Sequence, residues 1–384
     1  MSSHDAIVIG AGIVGAACAH ALARDGLRVL VLDAGFAAGG TTAAGMGHLV
    51  VMDDSPEQLA LTAYSAALWS ALAPALPRAA EYERCGTIWV AEDEAQLAAV
   101  REKQRVYAAA GLASEVLDPR ALAAAEPFLR SGLAGGLLVP DDAVVYQPQA
   151  TVHLLREARA LGAELREGAG ARVESVVPNG VRLATGETLH ADVVVNAAGA
   201  EAARLTPELP VVPRKGHLVI TDRHPELVSH QLVELGYLAS AHVMTSESVA
   251  FNVQPRATGQ ALVGSSRELV GWDASINPSI LRRMLERAVE FMPALAGLSI
   301  VRTWTGFRPA TPDKLPLVGP WAPTPGLWIA AGHEGLGITT SLGTARLLAD
   351  LVAGRTPPLD PAPFAPARVL EPTTADGHAS SAHA

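Results

Sequence analysis

The sequence is poor in cysteine, with Cys18 and Cys85 alone among 384 residues. Two cysteines form no disulfide framework, and their spacing is not that of a metal site, so we expect no metal. They are also too few for an iron–sulfur cluster, which normally takes four ligands. Such cysteine usage is typical of a reducing compartment. We therefore expect a cytoplasmic location, with a peripheral position at a membrane left open.

Basic residues are outnumbered, because 29 Lys and Arg stand against 39 Asp and Glu and leave a net charge of −10. No local basic cluster interrupts this balance. Nucleic acids are bound largely through a basic surface that neutralises phosphates. We therefore expect no nucleic-acid partner.

No Lys or Arg precedes the apolar run at residues 6–23, whereas a signal peptide carries a basic region there. The run is long enough to be considered as a membrane span. Its glycines, however, are spaced as a turn after a strand-like start, which favours a soluble βαβ unit. We therefore expect no membrane span.

The chain is 49 % apolar and 18 % charged, which is typical of a globular protein, and it is long enough for two domains. Predicted strands at 6–10 and 28–35 flank a helix at 13–26, and residues 36–58 lack a helical period and are predicted as a loop. From about residue 211 to residue 303 the pattern changes to antiparallel strands. The order of elements predicts the α/β class, α+β overall.

Three glycines form a G-x-G-x-x-G pattern where the first predicted strand meets the first helix, namely Gly10, Gly12 and Gly15. The first permits a tight turn, the second lets the backbone approach a pyrophosphate, and the third lets the helix pack close to the strand. Asp33 closes the second strand, where a carboxylate accepts hydrogen bonds from ribose hydroxyls. The pattern predicts a dinucleotide site, with a structural glycine turn as the alternative.

Further segments accompany this pattern: GTTAAGMG at 40–47, VVVNAAGA at 193–200, WTGFRPATPD at 304–313 and AAGHEGLGITT at 330–340. Together they resemble the FAD-dependent amine and amino-acid oxidoreductases, which include D-amino-acid oxidases and dehydrogenases, glycine oxidase and sarcosine oxidase. The resemblance spans roughly residues 5–355. More narrowly, the segments 214–222, 231–242 and 251–266 resemble the flavin-bearing subunit of D-hydroxyproline dehydrogenases.

The resemblance implies FAD as the cofactor, and a Rossmann-like FAD-binding domain with an inserted antiparallel-sheet substrate domain. We place the FAD-binding domain at residues 1–85, 140–210 and 304–356. The substrate domain takes residues 86–139 and 211–303. Residues 357–384 are rich in Pro, Ala, Ser and His and are predicted as a loose tail.

The resemblance also implies which residues hold FAD. At the phosphates and the ring these are Ile13, Val14, Thr41, Thr42, Gly45 and Gly47, where the two threonines would donate hydrogen bonds. Val173 would hold adenine through its backbone, and Gly199 would let the chain pass the cofactor. The turn before the last helix supplies Gly332, His333, Gly335, Leu336, Gly337 and Ile338, with free N–H groups at a helix N-terminus. A surface loop, an ordinary strand valine and a plain glycine-rich helix entry remain the alternatives.

The substrate carboxylate is assigned to Arg308, because the planar guanidinium fork of arginine matches a carboxylate. This residue lies in GFRPATPDKLPLVG at 306–319, whose three prolines forbid a helix interior and a central strand. Tyr146 and Tyr237 would donate from opposite walls of the pocket, and His48 would form part of a wall. The alternatives are a surface arginine or structural ion pair, core tyrosines and a packed histidine.

The expected reaction is FAD-dependent oxidation of the C–N bond of a small D-amino or cyclic imino acid such as cis-4-hydroxy-D-proline, by hydride transfer to flavin N5. The sequence shows no paired-carboxylate or Ser-His-Asp arrangement, so positioning would carry much of the catalysis. One alternative is an oxidase for amines resembling glycine or sarcosine. Another is a flavin-bearing electron-transfer component that is inactive alone and belongs to a hetero-oligomeric dehydrogenase. The electron acceptor stays open, with redox centres on partner subunits as one option.

Overall fold

The computed structural model describes residues 4–236 and 247–370. Its strands are β1 Ala6–Ile9, β2 Val29–Asp33, β3 His48–Leu49, β4 Thr87–Ala91, β5 Glu115–Leu117, β6 Gly135–Val139, β7 Ala143–Val144, β8 Glu164–Glu167, β9 Val173–Val177, β10 Gly180–Leu183, β11 Thr188–His190, β12 Val193–Asn196, β13 Val212–Arg223, β14 Gln231–Glu234, β15 Glu247–Pro255, β16 Gln260–Glu268, β17 Ile300–Ala310, β18 Leu317–Pro320 and β19 Leu327–Ala331. The α-helices are α1 Ile13–Arg24, α2 Gly40–Ala44, α3 Pro56–Leu72, α4 Glu94–Ala109, α5 Pro119–Ala125, α6 Gln147–Ala160, α7 Ala202–Leu205, α8 Pro278–Phe291 and α9 Gly337–Val352. Across the described ranges, no helix combines the length and apolar character that crossing a membrane requires.

The first sheet has six strands in the order β18-β19-β12-β1-β2-β8 and is parallel except at β18. Its inner strands β19, β12, β1 and β2 are almost entirely apolar because both faces are covered, whereas the edge strand β8 is mostly polar and exposed. Val8 and Val31 pack with residues of α1, α3, α6 and α9, whereas Ile7 and Leu30 pack on the opposite face with the three-stranded sheet β11-β10-β9. This arrangement brings the carboxyl ends of the parallel strands to one edge.

The second sheet has eight strands in the order β17-β13-β16-β15-β14-β4-β6-β5 and is antiparallel except between β14 and β4. Helix α8 covers it with a stripe of apolar residues, in which Ile280, Met284 and Phe291 are buried. The ring of Phe291 stacks on that of Phe251 with 4.4 Å between centroids. The side chain of Asn277 caps α8 by accepting the N–H groups of the first turn.

These two sheets confirm the predicted fold class. They also differ from the sequence expectations at the level of single elements. Residues 36–58 contain the short helix α2 and the strand β3 rather than a continuous loop. The strand β17 carries Arg308 and Pro309 and extends across residue 303, the predicted boundary between the two domains. Proline is tolerated there because β17 pairs with β13 alone and forms an edge of the sheet.

The segment after Thr356 was predicted as a loose tail, but its described part is packed. Phe364 is 2 % exposed and belongs to the core beside α9. The guanidinium of Arg368 donates to Asp313 at 2.8 Å and to the carbonyl of Leu315 at 2.8 Å. Phe364 and Arg368 therefore help to attach to the core a stretch whose composition is typical of a tail.

Candidate active site

A cavity of about 650 Å³ lies between the edge of the first sheet and the second sheet. Most of the residues singled out from the sequence line it: Gly10, Gly12, Ile13, Val14, Asp33, Thr41, Thr42, Gly45, Gly47, His48, Val173, Gly199, Arg308, His333, Gly335, Gly337 and Ile338. Gly15, Tyr146, Gly332 and Leu336 are not among the lining residues. Tyr237 lies outside the described residues.

The glycines at the start of α1 lie at very short distances from neighbouring backbone. A Cβ on Gly15 would lie 1.9 Å from the carbonyl oxygen of Gly10, and a Cβ on Gly10 would lie 2.5 Å from that of Ala197. Gly10 also has φ +104°, which side-chain-bearing residues rarely adopt. Gly15 therefore serves helix–strand packing, which explains its absence from the cavity wall. Gly12, by contrast, lies at the cavity surface and offers no capping side chain to α1.

Asp33 lies at the end of β2 with both carboxylate oxygens engaged. Oδ2 accepts the N–H of Ala11 at 2.7 Å, and Oδ1 accepts that of Gly35 at 2.8 Å. These bonds fix the carboxylate at the rim of the cavity. Each carboxylate oxygen has a further lone pair, so the group is still able to accept from a ligand hydroxyl.

The two threonines of α2 have different partners. Thr42 Oγ1 accepts the N–H of Ile13 at 3.0 Å, which satisfies one of the free donors of α1. The hydroxyl of Thr41 donates to the carbonyl of Phe307 at 2.6 Å. The expectation had both threonines donating to the cofactor, whereas Thr41 already uses its proton to attach α2 to β17.

The adenine end of the expected site lies near β9. Arg204 lines the cavity, and its Nη2 donates to the carbonyl of Val173 at 3.1 Å. Gly199 has φ +59° and would meet nothing within 4 Å if it carried a Cβ. Arg204 was missed from the sequence, because a single arginine in a short helix carries no pattern.

The turn before α9 contributes only part of its residues to the cavity. A Cβ on Gly332 would lie 2.6 Å from Cγ2 of Thr311, so this glycine faces a neighbouring segment. The ring of His333 is buried and forms a hydrogen bond with Oγ1 of Thr344 at 3.1 Å. Burial lowers the pKa of His333 to about 4. Gly337 and Ile338 place the start of α9 at the cavity wall.

Arg308 lies at the end of the cavity that faces the second sheet. Its Nη1 donates to the carbonyl of Ser266 at 2.9 Å. A Cβ on Gly216 would lie 2.4 Å from the same Nη1, so the missing side chain at this position makes room for the guanidinium. The register places Arg308 opposite Arg214 on β13. The arginine is therefore fixed by its strand, its neighbour and a carbonyl.

Three polar side chains that line the same cavity as Arg308 have polar atoms without a hydrogen-bond partner in the described part of the chain. These atoms are Nε2 of His48, Oδ1 of Asn252 and Oγ of Ser265. All three residues line the cavity, and Asn252 and Ser265 are buried. Burial, aided by the positive charge of Arg308, lowers the pKa of His48 to about 4, so its imidazole is neutral at pH 7. A ligand at this end of the cavity would meet these neutral polar groups beside the guanidinium of Arg308 and the carboxylate of Glu334.

Asn252 and Ser265 were missed from the sequence. Both lie in strands of the second sheet, where polar residues that alternate with apolar ones usually face solvent. Trp272, at the cavity mouth, was missed as well; its ring lies 5.1 Å from that of Phe307. Only the pairing of distant strands brings these residues to Arg308.

Tyr146 precedes α6 and is held outside the cavity wall. The guanidinium of Arg256 lies 4.7 Å from its ring centroid, and Arg256 also pairs with Glu81 at 2.7 Å. The residue therefore takes part in a cation–π contact between segments. Tyr146 does not line the main cavity, so its hydroxyl is not placed to donate to a ligand there.

The cavity fits an elongated nucleotide cofactor. One end has the glycine turn and the open start of α1, and the other has the start of α9 and Arg308. A Cβ on Gly45, at the end of α2, would lie 2.9 Å from Cδ1 of Ile338 in α9, so these two helices are in close contact at the wall. A Cβ on Gly47 would lie 2.0 Å from the carbonyl of Val145, so the segment after α2 is closely packed as well. Within residues 4–236 and 247–370, no group of three or more His, Cys, Asp or Glu is placed to hold a metal ion.

Known proteins with similar sequences include several oxidoreductases, and one family model matches nearly the whole chain. Residues 5–351 match the protein family described as FAD dependent oxidoreductase. Hydrogen cyanide synthase subunit HcnC of Pseudomonas aeruginosa is 32 % identical over 95 % of this chain and 96 % of that protein. D-amino acid dehydrogenase 2 of Ralstonia nicotianae is 31 % identical over 94 % and 99 %, and glycine oxidase of Pseudomonas aeruginosa is 30 % identical over 95 % and 99 %.

Solved structures share the architecture. Glycine oxidase from Geobacillus kaustophilus superposes with a TM-score of 0.84 at 27 % identity, covering 95 % of this chain and 98 % of that one. L-proline dehydrogenase from P. horikoshii gives a TM-score of 0.86 over 96 % and 98 %, and at 22 % identity this likeness concerns the fold alone.

Proposed function

We propose, because the chain belongs to the family of FAD dependent oxidoreductases, that it oxidises the C–N bond of a small D-amino or cyclic imino acid such as cis-4-hydroxy-D-proline. That the chain is an FAD-dependent amino-acid oxidoreductase follows from its family and from relatives named as amino-acid dehydrogenases and oxidases. The particular substrate and the residue roles below are proposals.

FAD is the cofactor, and the glycine turn, α2 and the start of α9 are the parts of the chain that would hold it. The chemistry that bound FAD would supply is that of a hydride acceptor for the substrate carbon. The open N-terminus of α1 would face the pyrophosphate, since helix N-termini present N–H donors and a partial positive charge. The carboxylate of Asp33 would accept from a ribose hydroxyl.

The position of Arg308 in the cavity is the observation on which the proposal rests. Its guanidinium lies at the end of the cavity that faces the second sheet, and its position is set by β17, Gly216 and the carbonyl of Ser266. A guanidinium binds a carboxylate through two parallel hydrogen bonds, which also fixes the orientation of the substrate. We assign to Arg308 the role of carboxylate anchor.

His48 would complete the substrate end without adding charge. A neutral imidazole has one N–H that donates and one nitrogen that accepts, and with a pKa of about 4 it carries no second proton and no charge at pH 7. It therefore suits contact with an uncharged amine better than contact with an ammonium group. The reaction then depends on orientation of the substrate by Arg308 rather than on a strong side-chain base.

The substitution Arg308→Ala tests this assignment. We expect kcat/KM for D-amino and imino acids to fall about a thousandfold, equivalent to about 4 kcal/mol, because a bidentate charged contact is lost. The flavin-to-protein absorbance ratio should stay at the wild-type value. Arg308→Lys should recover only part of the loss, since lysine keeps the charge without the fork.

Arg302→Ala is a matched control on the same strand. Arg302 is exposed near the start of β17, with its guanidinium over the ring of Trp304, and it does not line the cavity. Its kinetics should match the wild type. Wild-type kinetics for Arg308→Ala would contradict the anchor role of that residue.

A second candidate function is a flavin-bearing subunit of a larger dehydrogenase that passes electrons to partner subunits. The observation that favours it is the 32 % identity to a protein named as a synthase subunit. Activity of the purified chain with an artificial electron acceptor would argue against a component that is inactive alone.

A cytoplasmic location is also a proposal, and it rests on the low cysteine content of the chain.

A further inference from the structure

A second, smaller cavity of about 70 Å³, the side pocket, adjoins the main one. The two cavities share four lining residues, which are His48, Asn252, Glu334 and Gly335. A Cβ on Gly335 would lie 3.6 Å from Nε of Arg308, so the side pocket opens beside the proposed carboxylate anchor. A volume of this size corresponds to about two water molecules, or to one small polar substituent with its carbon.

Charged residues surround the side pocket in loose pairs. Nη1 of Arg214 lies 3.5 Å from Oε1 of Glu334, and Nε of Arg267 lies 3.7 Å from the same oxygen. Nζ of Lys314 lies 3.9 Å from Oδ2 of Asp54. Burial alone would raise the pKa of Glu334, but the neighbouring arginines outweigh it and hold that pKa below its ordinary value. The wall thus carries both signs of charge.

Acceptor atoms around the side pocket have no hydrogen-bond partner in the described part of the chain. They are Oδ1 of Asp54, Oε1 of Gln58 and Oδ1 of Asn252. The residues Gln58 and Asn252 are at least nine-tenths buried, being 4 % and 5 % exposed. Buried acceptors are normally paired, so these atoms call for a donor from a ligand or from water.

Three kinds of ligand group can be compared with this wall. A carboxylate would suit the cations but would place its lone pairs against the three unpaired acceptors. An ammonium group would suit the acceptors but would be repelled by Arg214, Arg267 and Lys314. A hydroxyl both donates and accepts without carrying charge, and it fits the volume.

We propose that the side pocket is a subsite for a hydroxyl group on the carbon skeleton of the substrate. This inference rests on the proposed function, since the substrate must be held by Arg308 for its far side to reach the side pocket. One of the acceptors Asp54, Gln58 and Asn252 would accept the single hydrogen bond that the hydroxyl donates, water would donate to the others, and the cations of the wall would donate to the hydroxyl oxygen. The subsite would favour hydroxylated substrates over unsubstituted analogues, because an analogue leaves buried polar groups unpaired.

The experiment compares cis-4-hydroxy-D-proline with D-proline in the holoenzyme and in Gln58→Met. Gln58 lines the side pocket but not the main cavity. In the wild type we expect kcat/KM to be at least tenfold higher for the hydroxylated substrate. In Gln58→Met this ratio should fall about tenfold, with D-proline changed by less than about twofold. Asp54→Asn, which keeps the shape of the side chain, should also lower the ratio of kcat/KM for cis-4-hydroxy-D-proline to kcat/KM for D-proline.

Two controls separate the subsite from a general disturbance. Gln104→Met makes the same change on α4, where the amide donates to the carbonyl of Ser114, and it should leave both substrates unaffected. Pyrrole-2-carboxylate has the nitrogen and carboxylate of proline but no hydrogen at Cα. Its dissociation constant, followed by the flavin absorbance, should be the same in Gln58→Met and in the wild type.

An unchanged ratio in both variants, or equal losses for the two substrates, would overturn the subsite while leaving the proposed function intact. A clear preference of the wild type for D-glutamate would also overturn it, because the side pocket would then be a carboxylate site. If the wild type oxidises no amino or imino acid, the proposed function fails and the subsite with it.

Discussion

Asp142 is a buried carboxyl group whose surroundings decide its charge. Its Oδ1 accepts the N–H of Val51 at 3.1 Å, and the neighbours Val50 and Met52 line the side pocket. Burial raises the pKa of Asp142 to about 7, although hydrogen bonds from Thr87 and Val51 act in the opposite direction. The folded protein therefore keeps a proton on this side chain at pH values where an exposed aspartate has lost it.

The substitution Asp142→Asn should make the protein relatively more stable as the pH rises. The folded protein holds the Asp142 proton up to about pH 7, whereas the unfolded chain loses it near pH 3.8. The free energy of unfolding of the wild type therefore falls between these two pH values. The variant cannot ionise, so it should gain up to about 4 kcal/mol relative to the wild type between pH 4 and pH 7.

Denaturant unfolding at several pH values measures this difference. Asp141→Asn provides the control, because that side chain is 66 % exposed beside Arg84. It should follow the wild type within about 0.5 kcal/mol at each pH. A stability difference for Asp142→Asn that does not vary with pH would show that Asp142 is ionised in the folded protein.

Single residues also show what the sequence could predict about the site. The roles of Gly10 and Asp33 could be predicted from the sequence. The glycine pattern and the acidic residue occur at fixed places around a strand that is followed by a helix. Gln58 and Asn252 were not found, since a buried acceptor without a partner has no sequence pattern. Their importance depends on which atoms happen to face them. That information exists only once distant segments are packed.

The short helix α2 and the strand β17 connect the two ends of the cavity. The hydroxyl of Thr41 donates to the carbonyl of Phe307, and Nε1 of Trp304 donates to the carbonyl of Ala44 at 3.2 Å. Gly306 lies under the helix, where a Cβ would be 2.5 Å from Cβ of Ala44. The helix that lines the cofactor end is thus attached to the strand that carries Arg308.

The substitution Gly306→Ala should push α2 away from β17. We expect the free energy of unfolding to fall by about 1–3 kcal/mol, as is usual when a methyl group is forced into a closely packed contact. Flavin retention after gel filtration should fall as well, because α2 lines the cofactor cavity. The absorbance ratio of flavin to protein and denaturant unfolding measure the two effects.

Gly297→Ala is the control for this substitution. A Cβ on Gly297 would meet nothing within 4 Å, and its φ lies outside the left-handed region. The change should therefore leave both flavin retention and stability at wild-type values. Equal behaviour of the two variants would mean that the contact between α2 and β17 does not matter for the cofactor.

At the scale of the whole molecule, the chain builds one parallel sheet from its beginning, middle and end. The apolar runs at 6–10 and 28–35 predicted its strands β1 and β2, because strands buried on both faces need continuous apolar sequence. The packed segment around Phe364 could not be predicted, since one aromatic residue among prolines and alanines gives no periodic signal. The division into an FAD-binding and a substrate domain remains a prediction.

The reductive half-reaction of the isolated holoprotein tests the central claim most directly. The purified chain, without partner proteins and without oxygen, is mixed with cis-4-hydroxy-D-proline, D-proline, other D- and L-amino acids and sarcosine, and the visible absorbance of the flavin is followed. We predict bleaching by a D-amino or cyclic imino acid, and none on the same timescale in Arg308→Ala. Bleaching by no member of the panel, or equally fast bleaching in Arg308→Ala, would contradict the account.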